Sequence, residues 1–388
     1  MEIETNTRLT LKSRIRSRIK LILKKTILYK PIVGVIKTRR IVNSETYFPQ
    51  YERKNKLWRY YDCYKWMFKY KRHNPSYNLY GLDVKNFRNC DDYVDIKYIK
   101  KDRMKEHHED DPLTQHRKEN MTIRYSLLAD NKHVFYSYME DICPEFIPKT
   151  HFVFQGEYVL APLDVKKQQL TKDALAALKE GRYICKATIG AFGESVAIVD
   201  KIGNEILINN GEILFDDWLE ETKSEPYLLQ EYIIQHEEIN KINPHTVNTL
   251  RVITTRWNED TYILASMIRV GIEGQIVDNA SDGGTFVGID IDKGTLMEYG
   301  YYYKKPRETQ HPDTGFVYKD AKVPYWEETI ELVKKLHPII FGFSTIGWDI
   351  AITENGPKIV EINWNYSIKG IQIACGGLKK RWDELKEK

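Results

Sequence analysis

Leu11, Ile15, Ile19, Ile22 and Leu23 recur at helical spacing on one face, with Arg14, Arg16, Arg18, Lys20, Lys24 and Lys25 on the rest. This pattern predicts a basic amphipathic helix whose apolar stripe packs on the body of the protein or docks on an anionic membrane leaflet, with RNA as a third partner of the right charge. Residues 47–98 are crowded with aromatics, as in Trp58-Arg59-Tyr60-Tyr61 and Tyr64-Lys65-Trp66-Met67-Phe68, and read as helix with aromatics inside and charges outside. The cluster Glu106-His107-His108-Glu109-Asp110-Asp111-Pro112, followed by His116, reads as an exposed linker; adjacent histidines on a run that ends in proline make a poor ligand set.

Beyond residue 121 apolar runs alternate in type. Helices are predicted near 131–141, 171–180 and 325–337. Strands are predicted at 151–155, 182–188, 196–200, 205–209, 227–234, 249–256, 261–270, 285–290, 347–353 and 357–362. The body is therefore α+β or mixed α/β.

Charge sharpens this division. Residues 1–40 hold twelve Lys and Arg against Glu2 and Glu4, a net +10 within a whole-chain +4 that leaves −6 for the remainder. A basic arm on a mildly acidic body points to a polyanionic neighbour for the arm, not to a nucleic-acid groove across the protein. The apolar run near the N-terminus is interrupted by Lys24, Lys25, Lys30 and Pro31, and no run of 18 apolar residues occurs, so a cytoplasmic protein is expected, with peripheral contact at the inner membrane face through the arm. Five widely spaced cysteines, without a CxxC pair, read as small buried hydrophobes.

Candidate chemistry concentrates near the C-terminus. Residues 347–363 read as a hairpin turned by Glu354-Asn355-Gly356-Pro357, with Asp349 on one strand and Glu361 and Asn363 two apart on the other. Three oxygen donors then converge, and two hard carboxylates with one amide suit Mg²⁺ shared with substrate phosphates. Upstream, Lys186 ends a strand and the loop Gly190-Ala191-Phe192-Gly193-Glu194-Ser195 follows. Backbone N–H groups of such a loop can cradle phosphates, although no Gly-Lys-Ser/Thr closes it as a Walker A loop. The strand Tyr227–Ile234 carries Glu231, with Glu238 seven residues on.

The order of these pieces resembles the ATP-grasp superfamily, which includes D-alanine:D-alanine ligase. Asn243-Pro244-His245-Thr246-Val247-Asn248-Thr249-Leu250-Arg251-Val252, Asp278-Asn279, Gly283-Gly284 and Gly347-Trp348-Asp349 are similar to the sugar-transfer-associated ATP-grasp family of surface-polysaccharide gene clusters, over roughly residues 120–375. The resemblance implies an ATP-grasp fold, with two α+β subdomains gripping ATP behind a mainly helical, basic and aromatic-rich N-terminal region. The expected organisation is an arm at 1–45, a helical region and linker at 46–119, and a grasp domain at 120–380, its lid near 150–230 and its metal-binding part near 231–375.

By the same resemblance, Asp349, Glu361 and Asn363 would hold Mg²⁺ between ATP phosphates. Lys186 and Lys132 would contact those phosphates, with Gly190, Gly193 and Ser195 in the lid. Glu231 and the backbone of Ile233 would meet adenine, and Glu238 the ribose. Arg251 and Arg269 would stabilise the transferred phosphoryl group or an acyl phosphate, or else form structural ion pairs. Peptide ligases usually carry an arginine just before the first metal-binding acid; Gly347-Trp348 stands there instead, which makes Arg251 the substitute. The implied reaction joins a carboxylate-bearing sugar or amino acid to an amine with ATP and Mg²⁺. A kinase acting on a sugar hydroxyl, or a non-enzymatic membrane- or polyanion-binding protein, are the alternatives, and no nucleic acid is expected as partner.

Overall fold

The computed structural model describes residues 29–99, 127–162, 169–190, 195–275, 278, 283–303, 305–340, 342–364 and 366–388. The predicted helix around Leu11–Lys25, the His107–His116 cluster and Gly193 lie outside these residues. Two compact units divide between Cys90 and Asp91, inside the stretch 46–119 that the sequence reading treats as one region.

In the first unit, α1 is Tyr29–Asn43 and α2 is Lys56–Tyr70. Asn55 caps α2 by accepting from the Trp58 N–H at 3.0 Å, and Lys71 ends it in the left-handed region. The expectation of aromatics inside and charges outside holds on this helix for Trp66, Lys56, Lys65 and Lys69 and is reversed at other positions. Trp66 is buried, but so is Asp62, while Leu57, Trp58, Tyr61 and Phe68 are exposed. The reversal has a local cause: Asp62 pairs with Lys54 at 2.9 Å and accepts from the Tyr77 hydroxyl at 2.9 Å, which compensates a carboxylate turned inward. Phe48, Tyr77, Tyr80 and Leu82 fill the interior beside it.

The second unit is built on two six-stranded antiparallel sheets. Before the first lie short α3 (Leu127–Asp130) and α4 (Lys132–Glu140). That sheet contains β1 (Thr150–Gln155), β2 (Tyr158–Ala161), β3 (Gly181–Ala187), β4 (Val196–Ile202), β5 (Glu205–Ile208) and β6 (Tyr227–Glu231), in the order β2-β1-β6-β3-β4-β5. Leu175 of α5 (Thr171–Ala176) and Trp218 of α6 (Phe215–Glu221) close its core with Phe152, Phe154 and Leu229. β6 stops three residues short of the expected end, because the chain leaves the sheet there and Ile234 is exposed. Short α7 (Glu237–Asn240) follows, tied to the second sheet by the His236 N–H donating to the Ile352 carbonyl at 2.7 Å.

The second sheet contains β7 (Thr249–Trp257), β8 (Asp260–Val270), β9 (Thr285–Asp290), β10 (Thr295–Tyr301), β11 (Thr345–Thr353) and β12 (Gly356–Asn363), in the order β10-β9-β8-β7-β11-β12. Alternation along β11 sends Ile346, Trp348, Ile350 and Ile352 into a core shared with α4 and α8 (Trp326–Leu336). Trp348 is fully buried, and its indole N–H donates to Thr254 at 2.7 Å. The other face carries Gly347, Asp349 and Ala351. Over that face, α9 (Ile368–Cys375) packs on β8, β9 and β10, and α10 (Lys379–Lys386) follows. None of the five cysteines forms a disulfide; four are buried and Cys375 is half-buried.

Candidate active site

One row of cross-strand partners builds the site. Gly288 on β9 pairs with Met267 on β8, Met267 with Arg251 on β7, Arg251 with Asp349 on β11, and Asp349 with Glu361 on β12. Directly opposed residues share a face, so Arg251, Asp349 and Glu361 stand side by side. Gly288 lets α9 lie close at the far end, since a Cβ there would come within 2.9 Å of the Ala374 carbonyl oxygen. Asn363, two residues beyond Glu361, joins the same face, and its amide donates to Asp349 Oδ2 at 3.3 Å and Glu361 Oε1 at 3.2 Å.

Asp349 has no exposed surface, and two guanidinium groups compensate its charge. Arg251 binds it in a bidentate fork, Nε to Oδ1 and Nη2 to Oδ2, and Arg269 Nη2 reaches Oδ2 at 3.0 Å. Burial alone would raise this carboxyl, but the two arginines outweigh it and hold it down at about 2. Arg269 also donates to Thr249 Oγ1 at 2.7 Å and lies 3.5 Å from Asp278, which accepts from the Thr249 N–H at 2.9 Å. Both arginines thus sit in the site as partners of Asp349. Glu361 behaves oppositely: desolvation, and then the negative charge of Asp349, push its carboxyl up, with Lys132 and Arg269 pulling the other way.

A bulge in β12 links this row to the first sheet. The β11–β12 register shifts by one residue after the Asp349–Glu361 pair, so Val360 is the extra residue of β12. The Val360 carbonyl accepts from the Tyr136 hydroxyl of α4, which accepts from Lys186 Nζ at 3.0 Å. Lys186 is buried, its ammonium 5.0 Å from the Tyr136 ring centroid. Desolvation, then the nearby Lys132, lower its pKa to about 7, against the opposing pull of Glu361. Lys132 is half-buried; its ammonium donates to the Gly190 carbonyl at 3.1 Å and its backbone N–H to the Thr188 carbonyl at 2.7 Å. The geometry therefore brings together Asp349, Glu361, Asn363, Arg251, Arg269, Lys186 and Lys132.

The family described as sugar-transfer associated ATP-grasp matches residues 114–387, most of the chain. This chain belongs to that family. Among solved structures, this ATP-grasp protein is similar to D-alanine-D-alanine ligase from Helicobacter pylori, at 13% identity and TM-score 0.37 over 68% of this chain and 59% of that one. It is also similar to L-amino acid ligase from Bacillus licheniformis, at 10% identity and TM-score 0.36 over 66% and 49%. The ATP-grasp ligase PsnB, complexed with minimal precursor, Mg and ADP, matches at 12% identity and TM-score 0.37 over 68% and 61%. The chain spans less than two thirds of each of these proteins. No curated protein matches.

The remaining expected nucleotide contacts of this ATP-grasp protein are more scattered. Glu231 ends β6, 3.8 Å from Lys358, and Ile233 follows it, half-buried, in the connection between sheets. Glu238 lies on α7, exposed and paired with Lys241 at 2.5 Å. Gly190 and Ser195 flank the β3–β4 loop; both are exposed with positive φ, at 145° and 61°.

The donor set fits a hard cation only in part through carboxylates. Among the described residues no group of three or more His, Cys, Asp or Glu is arranged to hold a metal; here two carboxylates and one amide converge. Glu361 takes part in no ion pair among the described residues, and its mutual repulsion with Asp349 is a charge that a divalent cation would neutralise. Among the described residues, Asp349 Oδ2 already accepts from three donors, whereas Oδ1 accepts only from Arg251 Nε and Glu361 Oε1 only from Asn363, which leaves a lone pair on each of these, Glu361 Oε2 and the Asn363 oxygen as the positions that could face a cation.

Sequence reasoning missed Tyr136, Thr249 and Tyr303. Tyr303 is half-buried, its hydroxyl raised by burial against the opposing pull of Arg251 and Arg269, so it borders the same face. Tyr136 carried no sequence signal beyond its place in an amphipathic helix. Residues 243–248, which carried part of the resemblance, form a buried amide network at the entry to β7: Asn243 donates to Thr246, Thr246 to Asn248, and the Asn248 N–H to Gln235, each at 3.0 Å.

Proposed function

We propose that the protein is an ATP-dependent carboxylate–amine ligase that forms an amide through an acyl phosphate, modifying a sugar or uronic acid during capsule or surface-polysaccharide synthesis. The observation that carries this reading is the pairing of Asp349 and Glu361 with Asn363 beside four basic side chains, Arg251, Arg269, Lys186 and Lys132. A solvated hairpin has no use for such a cluster, and family membership supports a nucleotide as its ligand.

A carboxylate is a poor electrophile because its leaving group would be oxide. Transfer of the γ-phosphoryl group to a carboxylate oxygen, with the bond to the β,γ-bridging oxygen breaking to give ADP, converts that oxygen into phosphate. An amine then attacks the acyl carbon, phosphate leaves, and the amine proton passes to solvent. Asp349, Glu361 and Asn363 would hold Mg²⁺, which when bound neutralises phosphate oxygens. Lys186 and Lys132, where the first sheet meets β12, would hold the phosphates in place. Arg251 and Arg269, anchored by Asp349, present fixed positive charge beside the point where an acyl phosphate develops negative charge. Glu231, Ile233 and Glu238 would bind the nucleoside, and residues 190–195 would close over it and exclude water.

The polysaccharide setting follows the family description, and the basic arm at residues 1–40 would give peripheral contact with an anionic cytoplasmic membrane face. Among the described residues no helix is long and apolar enough to cross a membrane.

Thermal melting with ATP and MgCl₂ tests the site. At a hundredfold excess over Kd, linkage predicts stabilisation of about 2.7 kcal/mol, absent without Mg²⁺ and absent in Glu361→Gln. ADP release that needs both an acid and an amine supports the ligase; release with a sugar alone makes it a kinase; no shift at saturating nucleotide removes the enzyme reading.

A further inference from the structure

α2 carries its apolar surface on the outside. Leu57, Trp58, Tyr61 and Phe68 are 80%, 58%, 54% and 68% exposed. At 3.6 residues per turn they fall within one arc of about 100°, with the buried Cys63 and Trp66 on the other side of the helix and the buried Asp62 between. The Trp58 and Tyr61 rings meet edge to face at 5.5 Å, so the stripe is a contiguous patch of ring and alkyl surface.

Charge says what covers it. Lys65 is exposed within the stripe, between Tyr61 and Trp58 around the helix, Lys69 is exposed at its edge, and Lys71 and Arg72 continue from its end. The one acid between Lys56 and Arg72 is Asp62, which points inward to Lys54 and Tyr77. Among the described residues of α2 itself, the outer face therefore holds aromatic rings, one leucine and cations. Protein interfaces are depleted in lysine at their centres, which disfavours a protein partner. Leu57, the most exposed of the four, has no flat face on which a nucleobase could stack, which disfavours RNA. An anionic bilayer surface suits every member: Trp58 and Tyr61 at the headgroup level, Leu57 and Phe68 among the first methylenes, and the lysines on phosphate and carboxylate headgroups.

We infer that the outer face of α2 is an interfacial anchor that lays this helix on an anionic lipid surface. The anchor is built into the first unit, is separate from the basic arm, and stands whether or not the nucleotide site does.

The test uses the full chain and vesicles of phosphatidylcholine alone or mixed with phosphatidylserine. Wild-type protein is expected to co-sediment with the serine-containing vesicles and to dissociate as salt rises. Trp58→Ser combined with Phe68→Ser is expected to weaken that binding by about tenfold while leaving the melting temperature within about 2 °C, since both side chains are exposed. Lys65→Glu combined with Lys69→Glu should weaken it comparably, and only on anionic vesicles. Three results overturn the inference: wild-type protein that stays in the supernatant with every vesicle, a Trp58/Phe68 variant that binds as wild type because the arm suffices, and a variant whose only defect is loss of self-association or of single-stranded RNA binding. Nucleotide-induced stabilisation is read on the same preparations, so failure of the anchor and failure of the ligase reading remain separate.

Discussion

Asp349 and Glu361 face each other across β11 and β12, and the Asn363 amide donates to both carboxylates. Their positions are nearly equivalent, but their partners are not. Asp349 is fixed by two guanidinium groups and held at about 2, whereas the Glu361 carboxyl is pushed up by desolvation and by Asp349 itself. One acid is compensated by the protein, and the other is left for something else to compensate.

Replacing Glu361 with Gln keeps the shape and removes the repulsion. The ligand-free variant should be as stable as wild type or more so, by up to about 1 kcal/mol in urea denaturation, and should lose the Mg·ATP shift in melting temperature. A loss of more than about 2 kcal/mol without ligand would make Glu361 structural.

Asp349→Asn should behave in the opposite way. It leaves Arg251 and Arg269 facing a neutral amide in a site with little solvent, and breaking such a pair costs about 3–5 kcal/mol. Urea denaturation at neutral pH should show that loss without any ligand, and nucleotide binding should fail as well. The contrast between the two variants separates the acid that holds the site together from the acid that serves a ligand.

Lys186 gives a pH signature. The unfolded lysine keeps its proton up to about 10.5, and the folded one only to about 7, because burial and Lys132 disfavour the charge. Between those values the unfolded chain binds more protons, so this residue makes stability rise with pH across that window, while below it the full burial penalty applies. Denaturation series from neutral to alkaline pH should show the rise in wild type and a flatter curve in Lys186→Met. Phosphates beside Lys186 would favour its charged form, so nucleotide binding at mildly alkaline pH should take up a proton. Calorimetry in two buffers of different ionisation enthalpy measures that uptake.

Much of the second sheet was legible because its strands are long, apolar and bounded, and the pairing of Glu361 with Asn363 follows from a period of two. Other features needed information that no local window holds. β10, Thr295–Tyr301, mixes Thr295 and Glu298 with Leu, Met, Gly and two Tyr, and α9, Ile368–Cys375, is apolar but for Lys369 and Gln372 with Gly370 inside it, so neither shows a clear period. α2 has aromatics around its whole circumference, and its buried side is set by Lys54 and Tyr77 reaching Asp62 from outside the helix. The arginines were legible as candidates, but the fork of Arg251 on Asp349 depends on the β7–β11 register, fixed between residues 98 positions apart.

Tyr136 is the least legible member of the site and the sharpest test of how the sheets cooperate. Its hydroxyl joins Lys186 Nζ to the Val360 carbonyl, the group that the bulge in β12 releases from the ladder. Tyr136→Phe leaves that carbonyl unpaired and should cost about 1–3 kcal/mol of stability. The ring survives the substitution, so the cation–π contact with Lys186 survives too, and the ammonium loses only one acceptor. If this link positions Lys186 for phosphate, the Mg·ATP shift should shrink in Tyr136→Phe but persist, whereas Lys186→Met abolishes it. A Phe variant with lowered stability and unchanged nucleotide affinity would confine Tyr136 to tying α4 onto β12.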